Sequence, residues 1–396
     1  MIGAVSSKAF SSTFKEALIA YSFDIGGILA GFIVASQFNA FRLYSWAIAV
    51  YPAILSARGM ISGLFSGRLG TGLHVGTVYP RLFGNTKNFY VLFQAMIVIT
   101  LETSVAMSCF SVAFGSLLWG VTFADVADIV VVVVATMTLG LVLSLFTVAL
   151  AFVSFKMGLD PDVIEYPIMS TVADIFITVC YVLMLNLCFL FRYAAVLLVV
   201  LHVILVFYVL SRNFRVKEFV KTVKESVVTL LFVAFIVNVT GTILRSISLE
   251  GSRQVYTVYP ALIDTVGDVG SVVGSTATTK LALGSLKPSF SSMRDHVTQI
   301  SGAWSASVFM FVCFSVLSLV VNGVFSFHEF LRFTSVLLIS NVLAVAAIVF
   351  VSFAVSILTF KNGLDPDNFV IPIESSLADS ITSAALLVAL SLISLV

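Results

Sequence analysis

Long apolar runs separated by short polar segments dominate the chain. Eleven such runs fall at about 17–39, 44–65, 89–118, 126–155, 165–190, 193–211, 226–247, 255–275, 300–325, 333–360 and 369–396. Each is close to the roughly 20 residues that an α-helix needs to cross the hydrocarbon core of a bilayer. The pattern predicts an all-α polytopic membrane protein with eleven membrane spans.

The composition supports this class and excludes others. Of 396 residues, 60% are hydrophobic and 10% are charged, and the formal net charge is +1. Disordered chains have low hydrophobicity and high net charge, so this chain is not one of them. A nucleic-acid-binding surface is usually clearly basic, so we expect the bilayer and not nucleic acid as the partner.

The run 193–211 decides the topology, and the basic residues test it. With the N-terminus in the cytoplasm and all eleven runs spanning, fifteen Lys and Arg lie in inner loops and five in outer loops. If 193–211 did not cross, the split would be about nine to eleven, against the positive-inside rule. We therefore expect a plasma-membrane protein with its N-terminus in the cytoplasm and its C-terminus outside.

The chain contains an internal duplication. KMGLDPDVIEYPIMSTVAD (156–174) matches KNGLDPDNFVIPIESSLAD (361–379) at a shift of 205, VYPA at 50–53 recurs at 258–261, and all eight prolines pair. We predict a cytosolic N-terminal segment (1–14), repeat 1 (15–190), a linker span with a basic cytosolic loop (191–223) and repeat 2 (224–396).

Five spans per repeat is an odd number, so the linker span restores the orientation of the second repeat. The expected result is a parallel pseudo-dimer whose twofold axis lies along the membrane normal. One chain then supplies both halves of a path between the repeats, and an obligate homo-oligomer is not required.

Two intramembrane aspartates, Asp174 and Asp379, are paired by the duplication. Ionisable residues inside a membrane are costly and are functional candidates by default. Residues four apart share a helix face, so each carboxylate heads a stripe of hydroxyl groups. The stripe residues are Ser170, Thr178, Ser375 and Ser383, and Glu374 could extend the second stripe.

Oxygen ligands suit Mg²⁺, which sheds its water reluctantly. We therefore predict a metal site of Asp174, Asp379, Ser170 and Ser375, with Thr178, Ser383 and Glu374 lining the path. The alternative is that each aspartate only hydrogen-bonds a neighbouring helix.

The second span of each repeat carries a proline inside an apolar run. A proline within a helix frees a backbone carbonyl, which could line a path. Glycines follow both prolines, and these also allow close helix packing. The predicted path-lining residues of these spans are Pro52, Gly59, Met60, Pro260, Asp264 and Gly267.

Charge on the second spans differs between the repeats. Asp264 and Asp268 correspond to Ser56 and Met60, and Arg58 corresponds to Val266. We hypothesise that Arg58 forms an ion pair with Asp264 or Asp268, and the alternative is that Asp268 is a further cation ligand.

These motifs resemble the MgtE family of divalent-cation channels and transporters. The resemblance rests on YPAILSARGMISGLFSGRLGTGLHVG (51–76), YPALIDTVGDVGSVVGSTATTKLALG (259–284) and the duplicated GLDP segments. It implies transport of Mg²⁺, with Mn²⁺, Co²⁺ or Zn²⁺ as other ions, in a two-repeat form like the eukaryotic and archaeal relatives. This chain departs from the Gly-Asn of the family's second helix, with Gly59-Met60 and Gly267-Asp268 instead.

The predicted function is therefore divalent-cation transport, with Mg²⁺ as the transported ion. A channel and a Na⁺- or H⁺-coupled exchanger both remain open, since the single-copy residues Asp24 and Glu102 permit a coupling site. No HExxH or GxSxG motif occurs, so we do not expect an enzyme. A non-transporting receptor or scaffold is the remote alternative, because it would not need repeated intramembrane acids.

Overall fold

A computed structural model describes residues 2–37, 44–157, 161–250, 253–362 and 370–394. Its regular elements are helices, and the long ones are numbered here in chain order. They are α1 (Ile2–Tyr21), α2 (Ile25–Ser36), α3 (Ser45–His74), α4 (Lys87–Phe114), α5 (Phe123–Lys156), α6 (Pro161–Leu190), α7 (Arg192–Asn213), α8 (Lys217–Glu250), α9 (Arg253–Ala282), α10 (Val297–Val321), α11 (Phe327–Lys361) and α12 (Val370–Ser394).

Nine stretches of the described residues are helical, long and apolar enough to cross a membrane. They are Phe10–Ser36, Trp46–Gly70, Lys87–Trp119, Phe123–Lys156, Met169–Leu190, Arg192–Asn213, Leu230–Ile247, Phe290–Val321 and Phe327–Lys361. Each coincides with one of the predicted spans, and the run 193–211 is among them as α7. The prediction of an all-helical membrane protein is confirmed.

The other two predicted spans are also helical but carry a weaker signal. Helix α9 is rich in Gly, Ser and Thr and contains Asp264 and Asp268, which lower its hydropathy. In α12 the apolar stretch of the described residues is shorter, Leu377–Ile393. The total of eleven spans therefore stays a prediction.

The chain folds into two compact units, and their bounds differ from those of the sequence repeats. Unit I is Gln37–Arg245, and unit II combines Met1–Ser36 with Ser246–Val396. Helices α1 and α2, from repeat 1, pack on α10 and α9 of unit II. Most of α8, which begins repeat 2, belongs to unit I. The first helix of each repeat is thus exchanged, which the duplication did not predict.

Glycines make both exchanged contacts possible. Gly31 of α2 lies against the backbone carbonyls of Tyr256 and Thr257 in α9. Gly241 of α8 lies against the carbonyl of Ala49 in α3. At a shift of 208, Ala49 corresponds to Thr257, so the two glycines approach equivalent positions of the second helices. Neither glycine has room for a β-carbon, and close approach of this kind is a common use of small residues in membrane helices.

Hydrogen bonds fix the relative direction of α4 and α8 within unit I. Ser226 donates to Glu102 over 3.5 Å, Ser111 donates to Asn238 over 2.8 Å, and Trp119 donates to Thr242 over 3.0 Å. Residue numbers rise together along both helices, so the helices run parallel. Helices α4 and α8 are the third and seventh predicted spans. These two spans run parallel if α7 also crosses the membrane.

The first predicted span, 17–39, is interrupted. Helix α1 ends at Tyr21 and α2 begins at Ile25, within a single stretch apolar enough to cross. The amides of Asp24 and Ile25 bond to carbonyls three residues earlier, at 3.1 and 3.4 Å. The break is therefore a tight, 3₁₀-like turn whose backbone groups stay bonded, and Asp24 lies in it.

The glycine contacts predict the effect of one methyl group. Gly241→Ala should destabilise the protein by about 1–3 kcal/mol, because the methyl group overlaps the Ala49 carbonyl. Gly59→Ala is the matched control on α3, where a β-carbon would meet nothing within 4 Å. The measurement is the melting temperature of both variants in detergent, and equal melting would contradict the exchanged packing.

Candidate functional site

In unit I, a hydrogen bond joins the second and fifth helices of the first repeat. The hydroxyl groups of Tyr51 (α3) and Thr178 (α6) lie 2.9 Å apart, and both side chains are buried. Tyr181 adds a second tie by donating to the backbone carbonyl of Ala47. Asp174 lies one helical turn before Thr178, so the same ties hold its backbone in place.

Unit II has the corresponding bond. The hydroxyl groups of Tyr259 (α9) and Ser383 (α12) lie 2.8 Å apart. Ser383 donates its own proton to the backbone carbonyl of Asp379 over 2.7 Å, so the tyrosine donates to the serine. The tyrosine therefore connects directly to the turn that carries Asp379.

The two bonds join equivalent positions of the duplication. Tyr51 and Tyr259 are 208 residues apart, and Thr178 and Ser383 are 205 apart, the same shifts as in the sequence motifs. Sequence reasoning found the two hydroxyls but missed their tyrosine partners. The signal was present, because Tyr is the first residue of both YPA motifs.

The predicted carboxylates are largely buried. Asp174 is 8% exposed and Asp379 is 9% exposed, in unit I and unit II respectively. Ser170 is half-buried, one turn before Asp174. The side chains of Ser375 and Glu374 lie outside the described part of the chain. Among the described residues, no three His, Cys, Asp or Glu side chains form a group that could hold a metal ion.

The predicted second-span residues divide into a buried and a more open set. Pro52 and Pro260 lie inside helices and are buried. The carbonyl of Tyr256, which Pro260 leaves without its helical amide, lies against Gly31 of α2. The positions that keep exposed area are Gly59, Met60, Asp264, Gly267 and Asp268. Both second helices therefore keep an open face one to two turns beyond the proline.

Arg58 is the charged exception in unit I. It is 1% exposed, and its Nη2 donates to Ser144 of α5 over 3.3 Å. Its Nε and Nη1 have no hydrogen-bond partner among the described residues. The ion pair predicted with Asp264 or Asp268 would join residues of different units and stays a prediction.

The surroundings of Arg58 differ from those of its counterpart in the second repeat. A β-carbon at Gly140 would lie 3.6 Å from Cδ of Arg58, an ordinary van der Waals contact, so Gly140 packs beside this side chain. The second repeat has Val266, Val345 and Val349 at the positions of Arg58, Gly140 and Ser144. Three positions thus change together from a polar set to an apolar set, a signal that comparing the repeats along α5 would have revealed.

Asp24 is a second buried charged residue that occurs in only one of the two repeats. It is 4% exposed, and its carboxylate accepts a hydrogen bond of 2.5 Å from Thr265 of α9. Thr265 lies between Asp264 and Asp268 in the sequence. Val233 stands at the equivalent position of α8, which is continuous there.

Family comparison identifies the kind of protein that carries this arrangement. The family model for MgtE, described as a divalent cation transporter, matches residues 51–184 and 259–389. The chain belongs to the MgtE family. No curated protein and no solved structure matches it.

The two MgtE matches begin at Tyr51 and Tyr259, the residues that tie the second helix to the fifth. Each match includes the fifth-helix aspartate, Asp174 or Asp379. The MgtE resemblance found in the sequence is thus confirmed in duplicate. The MgtE family is a family of transporters, not of enzymes.

Arg58 supplies a stability prediction. Arg58→Met should leave the free energy of unfolding unchanged or raise it by about 1–3 kcal/mol, because it removes a buried charge that has no anionic partner among the described residues. Ser144→Ala should lower the melting temperature in the wild type and have no effect in the Arg58→Met background. Both are measured by thermal unfolding in detergent.

The ion pair predicted from the sequence makes the opposite prediction. In that case Arg58→Met would destabilise the protein, because it would leave a buried carboxylate unpaired. Adding Asp268→Asn or Asp264→Asn would then restore stability. That result would contradict an Arg58 side chain held only by its hydrogen bond to Ser144.

Proposed function

We propose that this protein transports Mg²⁺ across the plasma membrane along a path lined by Asp174 and Asp379. Ser170, Ser375 and Asp268 are the further oxygen ligands, and the open faces of α3 and α9 line the path with Gly59, Met60, Asp264 and Gly267. The orientation has the N-terminus in the cytoplasm and the C-terminus outside, following the distribution of basic residues.

The observation that carries the proposal is the equivalent setting of the two aspartates. Each is largely buried within a predicted span and lies one turn from a hydroxyl bonded to a second-helix tyrosine. A carboxylate kept at such a depth is expensive, and a cation compensates for it. The repetition of the setting in both halves favours a shared role over two unrelated structural ones.

The ligand set favours a hydrated ion. Mg²⁺ keeps several waters and is commonly bound by one or two carboxylates plus neutral oxygens. The described residues contain no group of three acidic, His or Cys side chains that could strip the ion of its water shell. Two carboxylates with serine hydroxyls and water therefore suit Mg²⁺ better than softer ions, which prefer nitrogen and sulfur.

Energy for uptake is available without coupling. A potential of 100 mV contributes about 2.3 kcal/mol per elementary charge, or about 4.6 kcal/mol for a divalent ion. An inside-negative cell can therefore take up Mg²⁺ through a passive path.

Transport in liposomes tests the proposal. The wild type should show Mg²⁺ influx, reported by a trapped fluorescent indicator, that increases with an imposed inside-negative potential. Asp174→Asn/Asp379→Asn should reduce the flux at least tenfold, because it removes both charges that attract the ion at that depth. Glu329→Gln is the control, a partly exposed acidic residue at the start of α11.

Undiminished flux in a folded double variant would refute the assignment of the aspartates and turn attention to Asp264 and Asp268. Absence of flux of Mg²⁺, Mn²⁺, Co²⁺ and Zn²⁺ in the wild type, under every gradient, would contradict transport itself.

A coupled exchanger is the second candidate, and Asp24 is the observation that favours it. This carboxylate lies at an interruption of the first predicted span and is bonded to Thr265 beside Asp264 and Asp268. Interrupted helices provide ion sites in secondary transporters. The break occurs in one half only, as a separate coupling site would require.

The exchanger predicts flux that follows a second gradient. At zero membrane potential, an opposing Na⁺ or H⁺ gradient should drive Mg²⁺ movement. Asp24→Asn should abolish this component while leaving potential-driven flux intact, because it neutralises only the single-copy carboxylate. Flux that responds to potential and ignores both gradients would identify a channel and exclude the exchanger.

A further inference from the structure

An apolar groove of about 560 Å³ runs along the surface of unit I between α4, α7 and α8. Its walls are aliphatic and aromatic side chains, represented by Val98, Phe110, Phe207 and Leu231. Glu102 is the one charged residue in the lining. A groove of this size and composition accepts a hydrocarbon chain and offers very little to a polar solute.

Helix α7 forms the most exposed wall. Only 22% of its apolar window is buried, against 44–76% in the other candidate spans. Phe207 is 69% exposed and Leu205 is 39% exposed, so this helix presents its side chains to the surrounding lipid. The groove therefore opens to the hydrocarbon region.

One end of the groove meets a basic turn. On α7 the lining ends at Leu210, two residues before Arg212, and on α8 it begins at Val227, three residues after Lys224. Between these ends lie five exposed basic residues and two acidic residues, Glu218 and Glu225. The five are Arg212, Arg215, Lys217, Lys221 and Lys224.

Among the described residues, the arginines of this turn contact aromatic rings and form no ion pair. The guanidinium of Arg212 lies 5.4 Å from the centre of the Tyr208 ring, and that of Arg215 lies 5.1 Å from the Phe214 ring. Cation–π stacking of this kind leaves the N–H groups free to bind an anion. Tyr208 and Phe214 are amphipathic or apolar rings of the sort that lie at the level of lipid headgroups.

We infer that unit I binds an anionic phospholipid, whose acyl chain lies in the groove and whose headgroup phosphate contacts the basic turn. Polybasic segments next to a span attract anionic lipids, and the groove gives that attraction a specific position. The apolar groove continues into the basic turn along both α7 and α8. A single amphiphile can occupy both, whereas a free phosphate or a bare hydrocarbon can occupy only one of them.

Glu102 stays compatible with this occupant. Its carboxylate accepts a hydrogen bond from Ser226 at 3.5 Å and so lies at the α8 side of the groove. It is eight residues, or about 12 Å, along α4 from Gln94. Gln94 accepts a hydrogen bond from Asn213, beside Arg212. The carboxylate therefore lies about 12 Å from the Arg212 end of the basic turn. The phosphate is expected at that end and not beside Lys224, which lies two residues before Ser226.

Lipid retention by the purified full-length chain tests the inference. Phosphatidylglycerol and phosphatidylcholine with identical acyl chains are titrated into delipidated protein, and bound lipid is counted by native mass spectrometry. The wild type should retain phosphatidylglycerol at least about tenfold more tightly. Arg212→Gln/Arg215→Gln/Lys217→Gln should remove this preference, and Cys109→Trp should remove binding by filling the groove.

Matched controls separate the groove and the turn from general effects. Arg81→Gln/Lys87→Gln/Lys156→Gln removes three other exposed basic residues of unit I, and Leu201→Trp places a tryptophan on α7 outside the groove. Both controls should bind phosphatidylglycerol like the wild type. Each variant is first compared with the wild type in melting temperature, and Cys109→Phe replaces Cys109→Trp if the latter does not fold.

Four results would overturn the inference. They are equal retention of the two lipids, equal loss in the control triple variant, full binding by a folded Cys109→Trp variant, and displacement of the lipid by glycerol phosphate alone. A dimer that dissociates on Cys109→Trp without loss of lipid would assign the groove to a second copy of the chain and would also refute it.

Discussion

Within each compact unit, the placement of the candidate site depends on one hydrogen bond between the second and fifth helices of a repeat. A tyrosine hydroxyl buried in a membrane must find a partner, because no water is present to satisfy it. Tyr51 finds Thr178 and Tyr259 finds Ser383. Since these partners lie one turn from Asp174 and Asp379, the requirement that satisfies the tyrosine also fixes the turn that carries the acid.

The same constraint explains why the duplication can exchange its first helices. Helices that contact each other in lipid gain little from hydrophobic burial, so the contact depends on close packing and on hydrogen bonds. Gly31 and Gly241 permit that packing against equivalent positions of α9 and α3. The sequence identity of a helix, as part of repeat 1 or repeat 2, therefore does not determine the unit in which it packs.

Much of this arrangement could be predicted from the sequence, and the reasons for the rest are physical. Apolar length predicted the spans, and repetition predicted that Asp174 and Asp379 have equivalent positions. Hydropathy has no information on which helices are neighbours, so the exchange and the bond from Tyr259 to Ser383 were not foreseen. The turn at Asp24 was missed because it lies inside one long apolar run, although Gly26 and Gly27 follow closely and could have signalled it.

Fusion of two halves in one chain removes the constraint that both halves stay identical, and the buried charges show where they have diverged. Asp24, Asp264 and Asp268 belong to unit II, while the corresponding positions of unit I are Val233, Ser56 and Met60. Unit I instead buries Arg58, which donates a hydrogen bond to Ser144 and lies beside Gly140. A homodimer could not place a basic residue in one half and acidic residues in the other. The buried charges near the candidate residues therefore differ in sign between the two units, a difference that the duplicated aspartates Asp174 and Asp379 alone would not produce.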